Sequence, residues 1–324
     1  MVDTGFGIEA VCGTISYTPC SKGGNSGGWD MPKITETLIQ DYRITSGKGF
    51  RLKDLDPGDT GKFKSKDEAA GLLDRGVQWL SEEQEKLYAS DNWSLLLIFQ
   101  AMDAAGKDGT IKHVMSGINP QGCQVHSFKA PTSTDLDHDF LWRCAKVMPE
   151  RGRIGIFNRS YYEETLVVRV HPEFLMRQKL PAELIGKKVW EHRFEDIRNF
   201  EKFHSRQGTV IRKFFLNVSP EEQKRRFLSR LEEKEKNWKF STSDIAERAH
   251  WDKYMEAYED MIRNTATEYA PWYVVPADNK WFTRVVVAAA IVDTMHGLKL
   301  KFPKVDKRKR NELEAIEATL KREK

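Results

Sequence analysis

Residues 95–117 read Leu-Leu-Leu-Ile-Phe-Gln-Ala-Met-Asp-Ala-Ala-Gly-Lys-Asp-Gly-Thr-Ile-Lys-His-Val-Met-Ser-Gly. The apolar run at 95–99 has the length and bulk of a buried strand. It enters a loop of small residues ending in Gly106 and Lys107, and a helical pattern follows with Ile111, Val114 and Met115. Strand, small loop, Gly-Lys and helix form the context that a phosphate-cradling loop requires. Small residues let backbone N–H groups around Ala105, Gly106, Asp108 and Gly109 converge on an anion. The helix start adds positive dipole, and Lys107 adds a full charge. A phosphoryl-transfer site is implied.

The departures from G-x-x-x-x-G-K-[ST] are informative. Ala101 stands where the first Gly is expected, and Asp108 replaces the hydroxyl residue that ligates magnesium. Asp103 lies inside the loop, where a carboxylate would repel phosphates. It makes sense with a divalent cation between them, since Mg²⁺ takes a few carboxylates together with phosphate oxygens.

Outward from the loop, apolar strands alternate with helical patterns. Strands are predicted at 94–100, 123–129, 153–158, 210–218 and 272–277. Helices are predicted near 107–116, 138–148, 161–169, 190–205, 220–235, 244–265 and 280–298. Such alternation gives an α/β fold, a parallel sheet covered by helices on both faces. Ligands of such sheets bind beyond the carboxyl ends of the strands. Upstream, a helix over about 66–89 presents Ala69, Leu73, Val77, Leu80 and Leu87 on one side. The expected organisation is a Gly/Ser-rich disordered tail at 1–30, a helical extension at 31–93, a P-loop domain at 94–300 and a charged tail at 301–324. Met31 is an alternative start.

At 324 residues and 40% hydrophobic, the chain can bury a large core, and a net charge of +4 does not announce nucleic-acid binding. Four cysteines without metal-ligand spacing suit a reducing compartment. No apolar run approaches the ~18 residues of a membrane span, and no secretory signal layout opens the chain. A cytoplasmic protein is expected. His113, His126, His138 and His171 lack metal spacing, and nothing resembles a Ser-His-Asp arrangement.

A second strand at 153–157 runs into Asn158-Arg159-Ser160-Tyr161-Tyr162-Glu163-Glu164. In P-loop enzymes the strand beside the loop strand commonly ends in a metal-holding carboxylate. Here the position is Asn158, whose amide offers an oxygen without charge. Arg159 can grip a phosphate bidentately, and Glu163 can restore negative charge near the metal. A third concentration of cations runs from Arg212 to Lys239 and includes Arg226, Arg230 and Lys236. Ser219 and Pro220 open its helix, and Arg226 and Arg230, spaced i, i+4, share a face. That face reads as a lid, at about 219–256, closing over phosphates.

Together with Asn119-Pro120-Gln121-Gly122, the stretch from Leu136 to Arg143 and the block after Ser219, these motifs resemble polyphosphate kinase family 2 over about residues 35–300. The resemblance implies a thymidylate-kinase-like P-loop fold with a helical lid and a homodimer or homotetramer. It also implies Mg²⁺-dependent transfer of phosphate between inorganic polyphosphate and nucleotides (AMP, ADP, ATP). Carried over by position, Asp103 resembles the carboxylate that orders metal or acceptor phosphate, Lys107 the phosphate-binding lysine and Arg159 the cation of the second motif. Arg226 and Arg230 resemble polyphosphate contacts. The Asn158 version of the motif is similar to the subgroup accepting both AMP and ADP. Two other readings stand beside this one: a nucleotide kinase with ATP as donor, and a non-catalytic P-loop module binding polyanions.

Overall fold

The computed structural model describes residues 31–233, 235 and 242–323. The tail read as disordered at 1–30 lies outside these. In chain order the first elements are α1 (Met31–Ile39), β1 (Arg43–Ile44), α2 (Lys66–Ser90), β2 (Ser94–Gln100), α3 (Lys107–Val114) and β3 (Cys123–Ser127). Next come α4 (Ser133–Leu136), α5 (Trp142–Ala145), β4 (Ile154–Asn158), α6 (Val167–Val170), α7 (Pro172–Arg177) and α8 (Val189–Arg206). The last are β5 (Thr209–Asn217), α9 (Pro220–Glu232), α10 (Thr242–Arg248), α11 (Trp251–Thr265), β6 (Trp272–Pro276), α12 (Lys280–Gly297) and α13 (Lys307–Leu320).

Every residue of β2 is buried, as a central parallel strand covered on both faces must be. It lies between β4 and β5 in a six-stranded sheet of order β1-β6-β5-β2-β4-β3. The five longer strands are parallel, so their carboxyl ends share one edge and the loops that carry the motifs meet there. Helix α12 is buried around most of its circumference and packs against α1, α2, α3 and β6. Helices α8 and α11 pack on each other, with α8 also against β5.

The structure departs from the sequence reading in four places. The predicted helix at 138–148 shrinks to α5, Trp142–Ala145, because Asp139 Oδ1 accepts the N–H groups of Leu141 and Trp142 and so starts the helix late. Residues 31–93 do more than add helices: β1 pairs antiparallel with β6, so the sheet is mixed at that edge. The predicted helix at 161–169 begins as a 3₁₀ turn, Tyr161–Thr165, because the Ser160 hydroxyl accepts the Tyr162 N–H and tightens the chain. The predicted helix at 244–265 divides at Ala249 and His250 into α10 and α11. Among the described residues no helix is long and apolar enough to cross a membrane.

Candidate active site

The loop after β2 turns sharply at Ala104 (φ 62°) and Gly106 (φ 103°), both left-handed. A side chain at Gly106 would be strained whatever the space, which explains glycine there. Ala104 tolerates the same region at a cost of about 1 kcal/mol, and such strain collects at functional sites. Gly106 caps α3, and the backbone of Lys107, Asp108 and Gly109 forms its first turn, whose N–H groups lack intrahelical acceptors. The Lys107 ammonium curls back over the loop, donating to the Ala101 carbonyl at 2.8 Å and lying 3.5 Å from that of Met102. Burial, and then the Arg159 charge, push its pKa below the ordinary lysine value.

The register of β2 with β4 sets Phe99 beside Asn158, so the second motif begins at the phosphate loop. Asn158 Nδ2 donates to Asp108 Oδ1 at 2.7 Å. Arg159 is itself left-handed (φ 64°), its N–H held by the Phe99 carbonyl at 3.0 Å. Its guanidinium donates to Asp103 Oδ1 at 3.0 Å. This pair is partly exposed, so its value is placement more than stability. Asp103 is also held from behind, where Gln223 Nε2 donates to its carbonyl at 2.9 Å and Arg248 donates to Gln223 Oε1 at 2.6 Å.

Two cavities meet at this ion pair. A groove of about 800 Å³ runs over residues 103–110 and is walled by the cations Lys129, Arg159, Arg225, Arg230, Lys280 and Arg284. On the other side of Asp103 and Arg159 lies a cavity of about 230 Å³, lined by Met102, Glu163, Leu166, Val167, Glu247, Tyr254 and Tyr258. One is large and basic, suited to a polyanion. The other is small, with apolar and aromatic walls and two further carboxylates.

The structure brings Asp103, Ala105, Gly106, Lys107, Asp108, Gly109, Asn158, Arg159, Arg226 and Arg230 to the groove. Some of the candidates it uses in another way than the sequence reading expects. Arg226, read as a lid contact, is buried and spends its five N–H donors on Glu222, Ala104, Ala105, Ala277 and Asp278. It braces the phosphate loop instead of offering a vacant charge. Arg212 sits mid-strand opposite Leu97 and bonds Thr294 of α12, so it belongs to the sheet's packing and not to the groove. Glu163 lies in the smaller cavity, not beside Asn158. Asn158 turns its amide N–H₂, rather than an oxygen, toward Asp108. Lys236 and Lys239 lie outside the described residues. Sequence reading missed Lys129, Lys280 and Arg284, which come from three distant segments. It also missed Gln223, a polar side chain inside a charged run.

A parallel sheet whose central strand ends in this strained loop, with a basic groove above it, defines a P-loop phosphotransferase. The polyphosphate kinase 2 (PPK2) family model matches residues 63–303. The chain is 52% identical over 275 residues to the ADP-polyphosphate phosphotransferase of Rhodopseudomonas palustris, covering 82% of this chain and 95% of that one. It is 43% identical to the AMP/ADP-polyphosphate phosphotransferase of Meiothermus ruber, covering 82% and 96%. The crystal structure of polyphosphate kinase 2 from Arthrobacter aurescens TC1 superposes with a TM-score of 0.76 at 42% identity, covering 82% and 92%. The chain belongs to the polyphosphate kinase 2 family and is an enzyme.

Proposed function

We propose that this enzyme moves phosphate between inorganic polyphosphate and adenosine mono- and diphosphates, as a cytoplasmic homo-oligomer. The observation that carries this is the pair of unlike cavities divided by Asp103 and Arg159. A basic groove of about 800 Å³ is far larger than one terminal phosphate needs, and repeating anionic units suit its cluster of cations. The smaller cavity supports the nucleotide, with its terminal phosphate against Arg159. The names of the relatives from R. palustris and M. ruber agree with both substrates.

In this reading no covalent intermediate is needed. An acceptor phosphate oxygen, already anionic, attacks the last phosphoryl group of the polymer. The phosphoanhydride bond to the next unit breaks, and the chain one unit shorter leaves with its oxygen. Lys107 and Arg159 stabilise charge on the group in transit. Arg226 keeps the loop in shape while this happens. Among the described residues no three carboxylate, His or Cys side chains gather as a metal cage. That suits Mg²⁺, which is held by one or two carboxylates plus substrate phosphates. Asp103 and Asp108, both lining the groove, are the oxygen donors that would hold it. Bound there, it would neutralise phosphoryl oxygens.

The test is a donor–acceptor matrix: polyphosphate or ATP as donor, AMP, ADP, GMP or GDP as acceptor, with and without Mg²⁺. Product from polyphosphate with AMP and ADP is expected. Product only from ATP would replace the reading with an ordinary nucleotide kinase, and polyanion binding without product would leave a non-catalytic module. Lys107→Ala and Asp103→Ala are each expected to lower kcat/KM by at least about a hundredfold with unchanged circular dichroism. Near-normal turnover in either would remove its assigned role.

A further inference from the structure

The left-handed Ala104 (φ 62°) is a conformation that persists only where its surroundings impose it. Helix α9 supplies that hold. Gln223 and Arg226, three residues apart and both buried, share a face of the helix and draw three consecutive carbonyls of the phosphate loop toward it. Gln223 Nε2 donates to Asp103 at 2.9 Å, and Arg226 Nη1 donates to Ala104 at 3.1 Å and Ala105 at 2.7 Å. In a planar trans peptide the N–H points opposite to the C=O. The Ala104 N–H is therefore turned away from Gln223, at a residue that lines the groove.

The two grips differ in what fixes them. Arg226 is anchored by Glu222 and by the carbonyls of Ala277 and Asp278. Gln223 is anchored from α10, where Arg248 Nη1 donates to its Oε1 at 2.6 Å. A glutamine amide has a donating and an accepting end, whereas a guanidinium only donates. Arg248 thus takes the oxygen and leaves the N–H₂ for Asp103. Without Arg248 the amide can turn over and set oxygen against oxygen. Gln223 is 1% exposed, so bulk water does not replace the lost partner.

We propose that Gln223 and Arg248 are positioning residues of the phosphoryl transfer. Arg248 fixes the Gln223 amide, and the amide fixes the Asp103–Ala104 peptide with its N–H presented to a bound phosphate. This role rests on the function proposed above. Since Arg248 stands on α10, the loop takes its anion-ready shape only with α10 in place. That helix has anchors of its own: Glu247 accepts from the Tyr254 hydroxyl at 2.6 Å and lies 2.9 Å from His171 Nε2. Changing Arg248 therefore leaves α10 moored.

Steady-state kinetics on the full chain tests the relay. Gln223→Glu keeps the shape and the Arg248 contact and loses only the donor. It is expected to lower kcat/KM for the phosphate donor about tenfold, less than deleting a group that touches the anion itself. The nucleotide KM and the circular dichroism should not change. Gln223→Met and Arg248→Met are expected to act alike, and Arg248→Lys, which still donates, to recover most of the rate. In the double variant Gln223→Met with Arg248→Met, the loss should be no greater than that of Gln223→Met alone. Losses that multiply, a raised nucleotide KM in Arg248→Met, or a wild-type rate in Gln223→Glu would each overturn the relay. The donor assayed is whichever of polyphosphate and ATP the wild type uses, so failure of the polyphosphate reading does not by itself fail this test.

Discussion

Arg226 and Arg230 stand one helical turn apart on α9, and their roles differ because only one of them is turned into the protein. Arg226 is buried among four backbone carbonyls and Glu222. Lysine keeps the charge but has three donors and no planar fork. Arg226→Lys is therefore expected to lose about 3 kcal/mol in urea unfolding, close to the loss from Arg226→Ala. Lys107 gives a pH prediction. Its lowered pKa means the proton leaves at a pH below that of an ordinary lysine, so the cation needed for phosphate is present at low pH and lost as pH rises. The alkaline fall of kcat/KM, which reads the free enzyme, should begin below ~10.4. Lys107→Arg, if active, should move that fall to higher pH. At this scale the phosphate loop and Asn158-Arg159 were legible because contiguous residues carry their geometry. Which arginine of an i, i+4 pair points inward was not legible, because that depends on the loop packed against it. Arg212 misled for a related reason: charge in a strand is visible, but the helix across it is not.

Elements are joined behind the second motif by a fully buried network. Lys213 of β5 donates to Glu201 of α8 at 2.7 Å, to the Thr265 carbonyl of α11 at 2.8 Å and to the Tyr162 hydroxyl at 3.1 Å. Tyr161 and Tyr162 both donate to Glu201 Oε1. Three elements and the 3₁₀ turn are thus registered at one point, one turn from Arg159 and Glu163. Removing one partner strands a buried charge, so Glu201→Gln and Lys213→Met are each expected to cost about 3–5 kcal/mol. The double variant should cost less than the sum, and equilibrium unfolding of all four proteins checks this. Strands β2, β4, β5 and β6 were legible from short apolar runs. The two-residue β1 was not, since no period can be read from two residues. The division between α10 and α11 was also hidden, because an apolar face continues in sequence across His250.

For the whole molecule, a net charge of +4 is small, and the functional charge is local to the groove. Cations there belong to the phosphate loop, α9, α12 and the segments after β3 and β4, so only the assembled sheet edge creates the basic groove. Binding a polyanion to such a cluster releases counterions. The KM for polyphosphate is expected to rise steeply between low and high salt, while the KM for the nucleotide, with fewer charges, rises less. Parallel slopes for both substrates would contradict a division into two unlike cavities.

That division has a consequence for the direction of the chemistry. Asp103 and Arg159 face both compartments and form a common wall, so on the proposed reading the same two side chains greet the phosphoryl group whichever way it travels. A direct transfer, in which no residue retains the group, would give forward and backward passages one shared saddle point. The Haldane relation, which holds for any mechanism, ties the ratio of forward and reverse kinetic constants to the equilibrium constant. Whether the cell charges its adenylate pool or lengthens a mineral reserve is decided by the relative concentrations of nucleotide and polymer, not by the catalyst.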